Sequence, residues 1–211
     1  LLATTEQFVQ IDGQATPLPE DQQLTIVLKH VTALVENGFC IMEGSSDQRR
    51  LTPVRIDCTD SILITQNAPL LKQVGPRTEE EFRKLVKWNS DRCFYENFDI
   101  FWEIDSLQNA GINTWEWNQW RTFWEPARER SERPPPVLWS RRSQEPQAIS
   151  NHQLSDYLLL PNDNNPARSA ATDGMSDAGF QFTTLPETPV LAEKIANPDW
   201  SPTDDLPIPD Q

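Results

Sequence analysis

Residues 24–38 run Leu24-Thr25-Ile26-Val27-Leu28-Lys29-His30-Val31-Thr32-Ala33-Leu34-Val35-Glu36-Asn37-Gly38. Leu24, Val27, Leu28, Val31, Leu34 and Val35 recur at three- and four-residue steps, the stripe of an amphipathic helix. Gly38 falls where a left-handed C-terminal cap belongs. The spacing predicts a helix over about 20–36. The fold class turns on that reading, because the flanking segments then arrange themselves around a helix.

Downstream the period shortens. Phe39-Cys40-Ile41-Met42 is a compact apolar run, and Gly44-Ser45-Ser46-Asp47 is turn material. Leu51, Val54 and Ile56 lead to Ser61-Ile62-Leu63-Ile64. These runs predict two or three short antiparallel strands, with Pro53 marking an edge. Phe8-Val9-Gln10-Ile11 is a further candidate strand. From Thr78 the helical pattern returns: Thr78 with Glu81 forms a capping box, and Glu79 and Glu80 suit the positive end of a helix. Apolar positions from Phe82 to Leu107 predict one or two helices, and a second runs from about 115 to 130 behind Thr114. The expected fold is α+β: an amphipathic helix, a small antiparallel sheet, then a Trp-rich helical pair. No internal repeat is evident at this level.

Composition divides the chain. It has 211 residues, a net charge of −14 and an apolar fraction of 37%, which is low for a chain that is folded throughout. Residues 143–211 hold 11 of the 32 acidic side chains, 2 of the 18 basic ones and 9 of the 18 prolines. Their apolar residues stand in isolated clusters, too few to offset an ordering entropy of roughly 1–2 kcal/mol per residue. Arg133-Pro134-Pro135-Pro136 marks the approach to this boundary. The expectation is one domain over 1–142, then an acidic, Pro-rich, largely disordered tail over 143–211. No apolar run reaches the roughly 18 residues of a membrane span. Three widely spaced cysteines without a secretory signal suggest an intracellular, reducing compartment, cytoplasmic or nuclear.

Chemistry-bearing motifs are sparse. No GxxxxGK[ST], GxGxxG, HExxH or GxSxG pattern occurs. His30 and His152 lie near no cysteine or histidine at ligand spacing, so neither a metal nor a cofactor is expected. Cys93 has no base placed for it, and Asp99, Glu103 and Asp105 read as a solvated helical face. The strongest anomaly is Trp115, Trp117, Trp120, Phe123 and Trp124 within ten residues, followed by Arg121, Arg128 and Arg130. On a helix Trp117, Trp120 and Trp124 share one face while Trp115 points away. A core stripe uses one face only, and indoles and arginines are enriched at binding hot spots. Trp115, Trp117, Trp120, Trp124, Arg121, Arg128 and Arg130 are therefore the candidate docking residues. The sequence favours a non-enzymatic interaction module, an adaptor or subunit, with a protein partner for which an acidic surface would suit the arginines. Two alternatives are an intracellular enzyme with a carboxylate or Cys site, and a nucleic-acid-associated factor using Trp and Arg at 115–142. The chain's own negative charge disfavours nucleic acid.

Overall fold

The computed structural model describes residues 7–13, 22–44, 51–106, 111–124, 131, 136–141 and 151–181, together with the backbone of 2–4. Its elements are β1 (Leu2–Thr4), β2 (Val9–Asp12), β3 (Leu24–Lys29), β4 (Thr32–Val35), β5 (Cys40–Glu43), β6 (Val54–Thr59), β7 (Ile62–Thr65), β8 (Leu71–Gly75), α1 (Glu79–Lys84), β9 (Val86–Asp91), β10 (Phe94–Glu96), β11 (Trp102–Ser106), β12 (Ile112–Trp115) and α2 (Trp117–Trp124). The stretch expected to be the first helix is two strands. Six of the twelve residues 24–35 are β-branched, which favours extended backbone. His30 between the strands adopts a left-handed conformation, φ 52°, that no helix continues through. Leu24 and Val27, members of the supposed buried stripe, are 43% and 69% exposed.

The strands wind into a parallel β-solenoid. Each of the first three coils contributes one strand to each of three sheets, and the fourth adds to the first two only, so β1, β4, β7 and β10 form the first and β3, β6 and β9 the third. The second has the order β12-β11-β8-β5-β2. Among these strands every pairing is parallel except β11 with β12. The α+β arrangement with a small antiparallel sheet is therefore overturned: the fold is dominated by parallel sheets. The expected strand runs at Phe8–Ile11, Phe39–Met42 and Ser61–Ile64 do lie on β2, β5 and β7, but they pair between coils instead of forming hairpins. Among the described residues of 78–106, α1 is the helix; its capping box is present, with Thr78 Oγ1 accepting from Glu81 N–H and Glu81 accepting from Thr78 N–H. Beyond it Val86, Trp88 and Ser90 alternate inward while Lys87, Asn89 and Asp91 face out.

The coils repeat in the sequence. Val9 faces Cys40, Cys40 faces Leu71 and Leu71 faces Trp102, a constant step of 31 residues. Phe8-Val9-Gln10-Ile11-Asp12-Gly13, Phe39-Cys40-Ile41-Met42-Glu43-Gly44, Leu70-Leu71-Lys72-Gln73-Val74-Gly75 and Phe101-Trp102-Glu103-Ile104-Asp105-Ser106 are successive copies of one turn. The absence of an internal repeat is thus corrected. Equivalent positions stack in columns, as Phe8 on Phe39 shows, with centroids 5.1 Å apart. Gly13, Gly44, Gly75 and Ser106 close each copy where backbone meets backbone. A Cβ on Gly75, whose φ is +152°, would lie 2.9 Å from the Gly44 carbonyl oxygen.

Two cores result. Ile11, Met42, Ile56, Trp88, Phe101 and Trp102 belong to the interior of the coils. A second core lies outside the first sheet, where Leu34, Ile62, Ile64 and Phe94 meet Val137, Tyr157, Ala167 and Ala178. This explains why β4 and β7 are buried on both faces. The covering strap is built from 136–141 and 151–181. Trp139 and Leu159 form an antiparallel bridge, and the buried Asn165 side chain bonds Leu138 N–H and the Leu138 and Leu160 carbonyls. Residues 151–181 fall in the stretch the sequence assigns to the tail; 143–150 and 182–211 lie outside the described residues. Gly75→Ala is expected to cost about 1–3 kcal/mol through the close approach and strained φ. Gly44→Ala, whose Cβ meets the Leu51 side chain at 3.6 Å, costs under about 1 kcal/mol. Denaturant midpoints of the two variants check the difference.

Candidate functional site

The Trp-rich segment closes one end of the solenoid. After the fourth coil β12 turns back antiparallel to β11, and α2 crosses the open end of the coils. Gln119 Oε1 accepts the Glu116 N–H and starts the helix, so the expected cap at Thr114 instead lies within β12. Trp120 meets Trp88 at 5.2 Å and Trp102 at 5.7 Å between centroids. Trp124 stacks on Trp102 with 12° between planes, and Trp117 packs on Phe101 and Tyr95. Trp115 meets Trp102 edge to face across the β11–β12 pair. An indole buries about 150–250 Å², worth roughly 4–6 kcal/mol of transfer at about 25 cal/mol/Å².

Trp115, Trp117, Trp120 and Trp124 are 9%, 6%, 0% and 3% exposed. These four candidate docking residues are therefore core. Trp115 is buried although it lies off the α2 face because it belongs to a strand, not to the helix. Arg121 is exposed on α2. Arg128 and Arg130 lie outside the described residues, as does the remainder of the expected helix to 130. The guanidinium over the cap is Arg83 of α1, 5.1 Å from the Trp115 ring and 5.9 Å from the half-exposed Phe123.

Other chemistry-bearing residues fall at the coil corners. His30, Asp60 and Arg92 follow β3, β6 and β9 and share a left-handed φ of 52°. Asp60 is buried, yet its carboxylate is satisfied by the strap: Thr172 N–H donates to Oδ1 at 2.7 Å and Thr172 Oγ1–H to Oδ2 at 2.8 Å. His30 Nε2 lies 3.6 Å from Oδ2, the Asp60 carbonyl accepts Gly179 N–H at 2.7 Å, and Arg92 donates to the Ala171 carbonyl at 2.6 Å. Gly179 is required here, since a Cβ would sit 2.8 Å from Ile62 Cδ1. This corner is a clasp for the strap. Sequence reasoning missed it, and only the coil period would have placed the three residues together. Glu103, expected on a helix, faces outward from β11 and pairs with Lys72 at 2.6 Å. His152 is held by the Tyr157 hydroxyl at 2.9 Å. Among the described residues no group of three metal-ligating side chains converges, and no helix is long and apolar enough to cross a membrane.

The outer face of the third sheet presents registered rows. Thr25, Arg55 and Lys87 form one, Val27, Asp57 and Asn89 the next, Lys29, Thr59 and Asp91 the last. Neighbours within a row lie roughly 4.8 Å apart, and rows about 6.6 Å apart along the strands. Arg55 Nε pairs with Asp57 at 2.9 Å, and Asn89 Nδ2 donates to Asp57 at 2.6 Å. Three cations and two carboxylates give this face a net charge of +1. The outer face of the second sheet is acidic: Asp12, Glu43, Glu103 and Asp105 stand against Lys72. Comparison with protein-family models, with curated proteins and with solved structures finds no match for this chain.

Trp120→Ala is expected to cost about 3–5 kcal/mol, because the cavity opens at the centre of the cap. Arg121→Ala should change stability by less than about 0.5 kcal/mol. Urea unfolding followed by tryptophan fluorescence measures both. Asp60→Ala leaves the Thr172 donors unpaired and should cost about 1–3 kcal/mol. Amide exchange would then speed up across 170–180 while the strands of the second sheet keep their protection.

Proposed function

We propose that the chain is a non-enzymatic protein–protein interaction module whose docking surface is the outer face of the third sheet. The observation that carries this reading is the open array Thr25–Arg55–Lys87 and Val27–Asp57–Asn89, with Val27 69% exposed at its centre. The first sheet is covered by the strap, whereas this one faces solvent over three coils. Backbone hydrogen bonds in the sheet fix the rows, so a partner meets side chains whose spacing is already set, which lowers the ordering cost of docking. The net positive charge of the face suits an acidic partner surface, and the exposed valine supplies an apolar centre within a polar rim. The buried indoles serve this function indirectly, by holding the end of the solenoid closed.

The test is an affinity purification from the native source with three full-length baits. The unaltered chain and a Glu43→Lys/Asp105→Lys variant of the acidic second-sheet face should retain the same partner. Arg55→Glu/Lys87→Glu should lose it while keeping the same circular dichroism and melting midpoint. Partners that are indifferent to the third-sheet charges, or that depend on the acidic face instead, would refute the assignment.

A further inference from the structure

We propose that Cys58 and Cys93 are a disulfide-forming pair that staples the second coil to the third. Cys58 lies on β6 facing the core, and Cys93 sits in the corner between β9 and β10. Their Sγ atoms are 3.2 Å apart, and the residues are 1% and 2% exposed. A disulfide has S–S near 2.05 Å, so the sulfurs need to close by only about 1 Å. The backbone already holds Cys93 there. Its N–H donates to Ser131 Oγ at 2.9 Å, Ser131 meets Ser90 at 3.2 Å, and the Tyr95 hydroxyl donates to Ser90 at 3.0 Å. Ser90 is also the ladder partner of Cys58, so this buried hydroxyl cluster ties the Cys93 backbone to the strand beside Cys58.

Cys40 is different in kind. It lies on the second sheet between Val9 and Leu71, and burial pushes its thiol up to about 12. Such a thiol supplies almost no thiolate for exchange at neutral pH. The odd cysteine count thus resolves into one pair and one inert core residue.

Oxidised glutathione serves as the oxidant. One protein thiolate attacks its disulfide and releases glutathione as thiol. The second then attacks the mixed disulfide and releases the other. Both protein thiols lose hydrogen, and two electrons pass to the glutathione disulfide. Because both sulfurs are buried, exchange proceeds while the chain folds or through local opening. The bond closes the loop from 58 to 93, one full coil. Restricting that loop in the unfolded chain should raise the melting midpoint by about 5–15 °C.

The full chain is refolded from denaturant in oxidising or reducing glutathione buffer, alkylated under denaturing conditions and mapped without reduction. The expected result is a Cys58–Cys93 linked peptide, alkylated Cys40, and a higher midpoint in the oxidised sample. Cys40→Ser should behave like the unaltered chain, whereas Cys93→Ser should lose the oxidant-dependent shift. Three alkylated thiols after oxidative refolding, a link through Cys40, or a linked form that melts below the reduced one would each overturn the proposal.

Discussion

The rest of the structure depends on in-register hydrogen bonding between successive coils. A parallel strand satisfies its backbone groups only through the strand above and the strand below, so each coil must return at the same height with the same residue facing in. Val9, Cys40, Leu71 and Trp102 meet that requirement with a step of 31 residues on the second sheet. The third sheet tolerates steps of 30 and 32 residues, as Leu24, Val54 and Val86 show. Differences in length are taken up in the segments that link the first sheet to the second and the second to the third. The corner from the third sheet to the first keeps one length, with His30, Asp60 and Arg92 in the left-handed conformation at equivalent places.

A stack of this kind has ends, and an open strand edge invites pairing with another chain. At the C-terminal end β12 reverses direction and offers no parallel edge to a further coil, while Trp117, Trp120 and Trp124 lie over the exposed interior. That requirement accounts for the density of buried indoles: large flat side chains on α2 reach across the end of the coils to Trp88, Phe101 and Trp102. Polar atoms inside the stack obey the same economy of contact. Gln73 replaces an apolar residue in the column Ile11, Met42, Gln73, Ile104, and it accepts from Trp102 Nε1 while donating to the Phe82 carbonyl. It thereby ties the fourth coil and α1 to the coil interior.

Individual segments were legible in the sequence, and their assembly was not. The apolar runs at Phe8, Phe39 and Ser61, the capping box at Thr78 and the shared face of Trp117, Trp120 and Trp124 all sit where residue pattern places them. The first helix failed because two short strands out of phase, joined at His30, mimic a three-four stripe. Leu24 and Val27 fit that stripe by spacing alone, although both face solvent. The repeat escaped because its signature is degenerate: aromatic gives way to leucine at Leu70, acid to valine at Val74 and glycine to serine at Ser106. Parallel pairing itself leaves no local trace, since the partner of each strand lies a full coil away. The candidate site suffered for the same reason. Outward rows such as Thr25–Arg55–Lys87 exist only once the coil period is known.

That separation of rows from columns bears on function. Inward columns are constrained by stacking from above and below, so a change at Ile56 disturbs the coils on both sides, and one at Trp88 disturbs the coil beside it and the Trp120 indole. Outward positions carry no such constraint, because the backbone ladder holds strand spacing whatever side chain points to solvent. On the third sheet, charged and polar residues therefore alternate with the core without cost to the stack, and the acidic and basic faces differ in sign although they share one backbone. The first sheet shows the converse. Its outward residues Leu34, Ile62, Ile64 and Phe94 are apolar, and the chain covers them with its own strap, secured through Asp60 and Asn165. A face that evolves apolar side chains must be covered, and a face that stays polar can remain open. On the open outer faces of the second and third sheets, side chains can therefore change while the ladder beneath them stays the same.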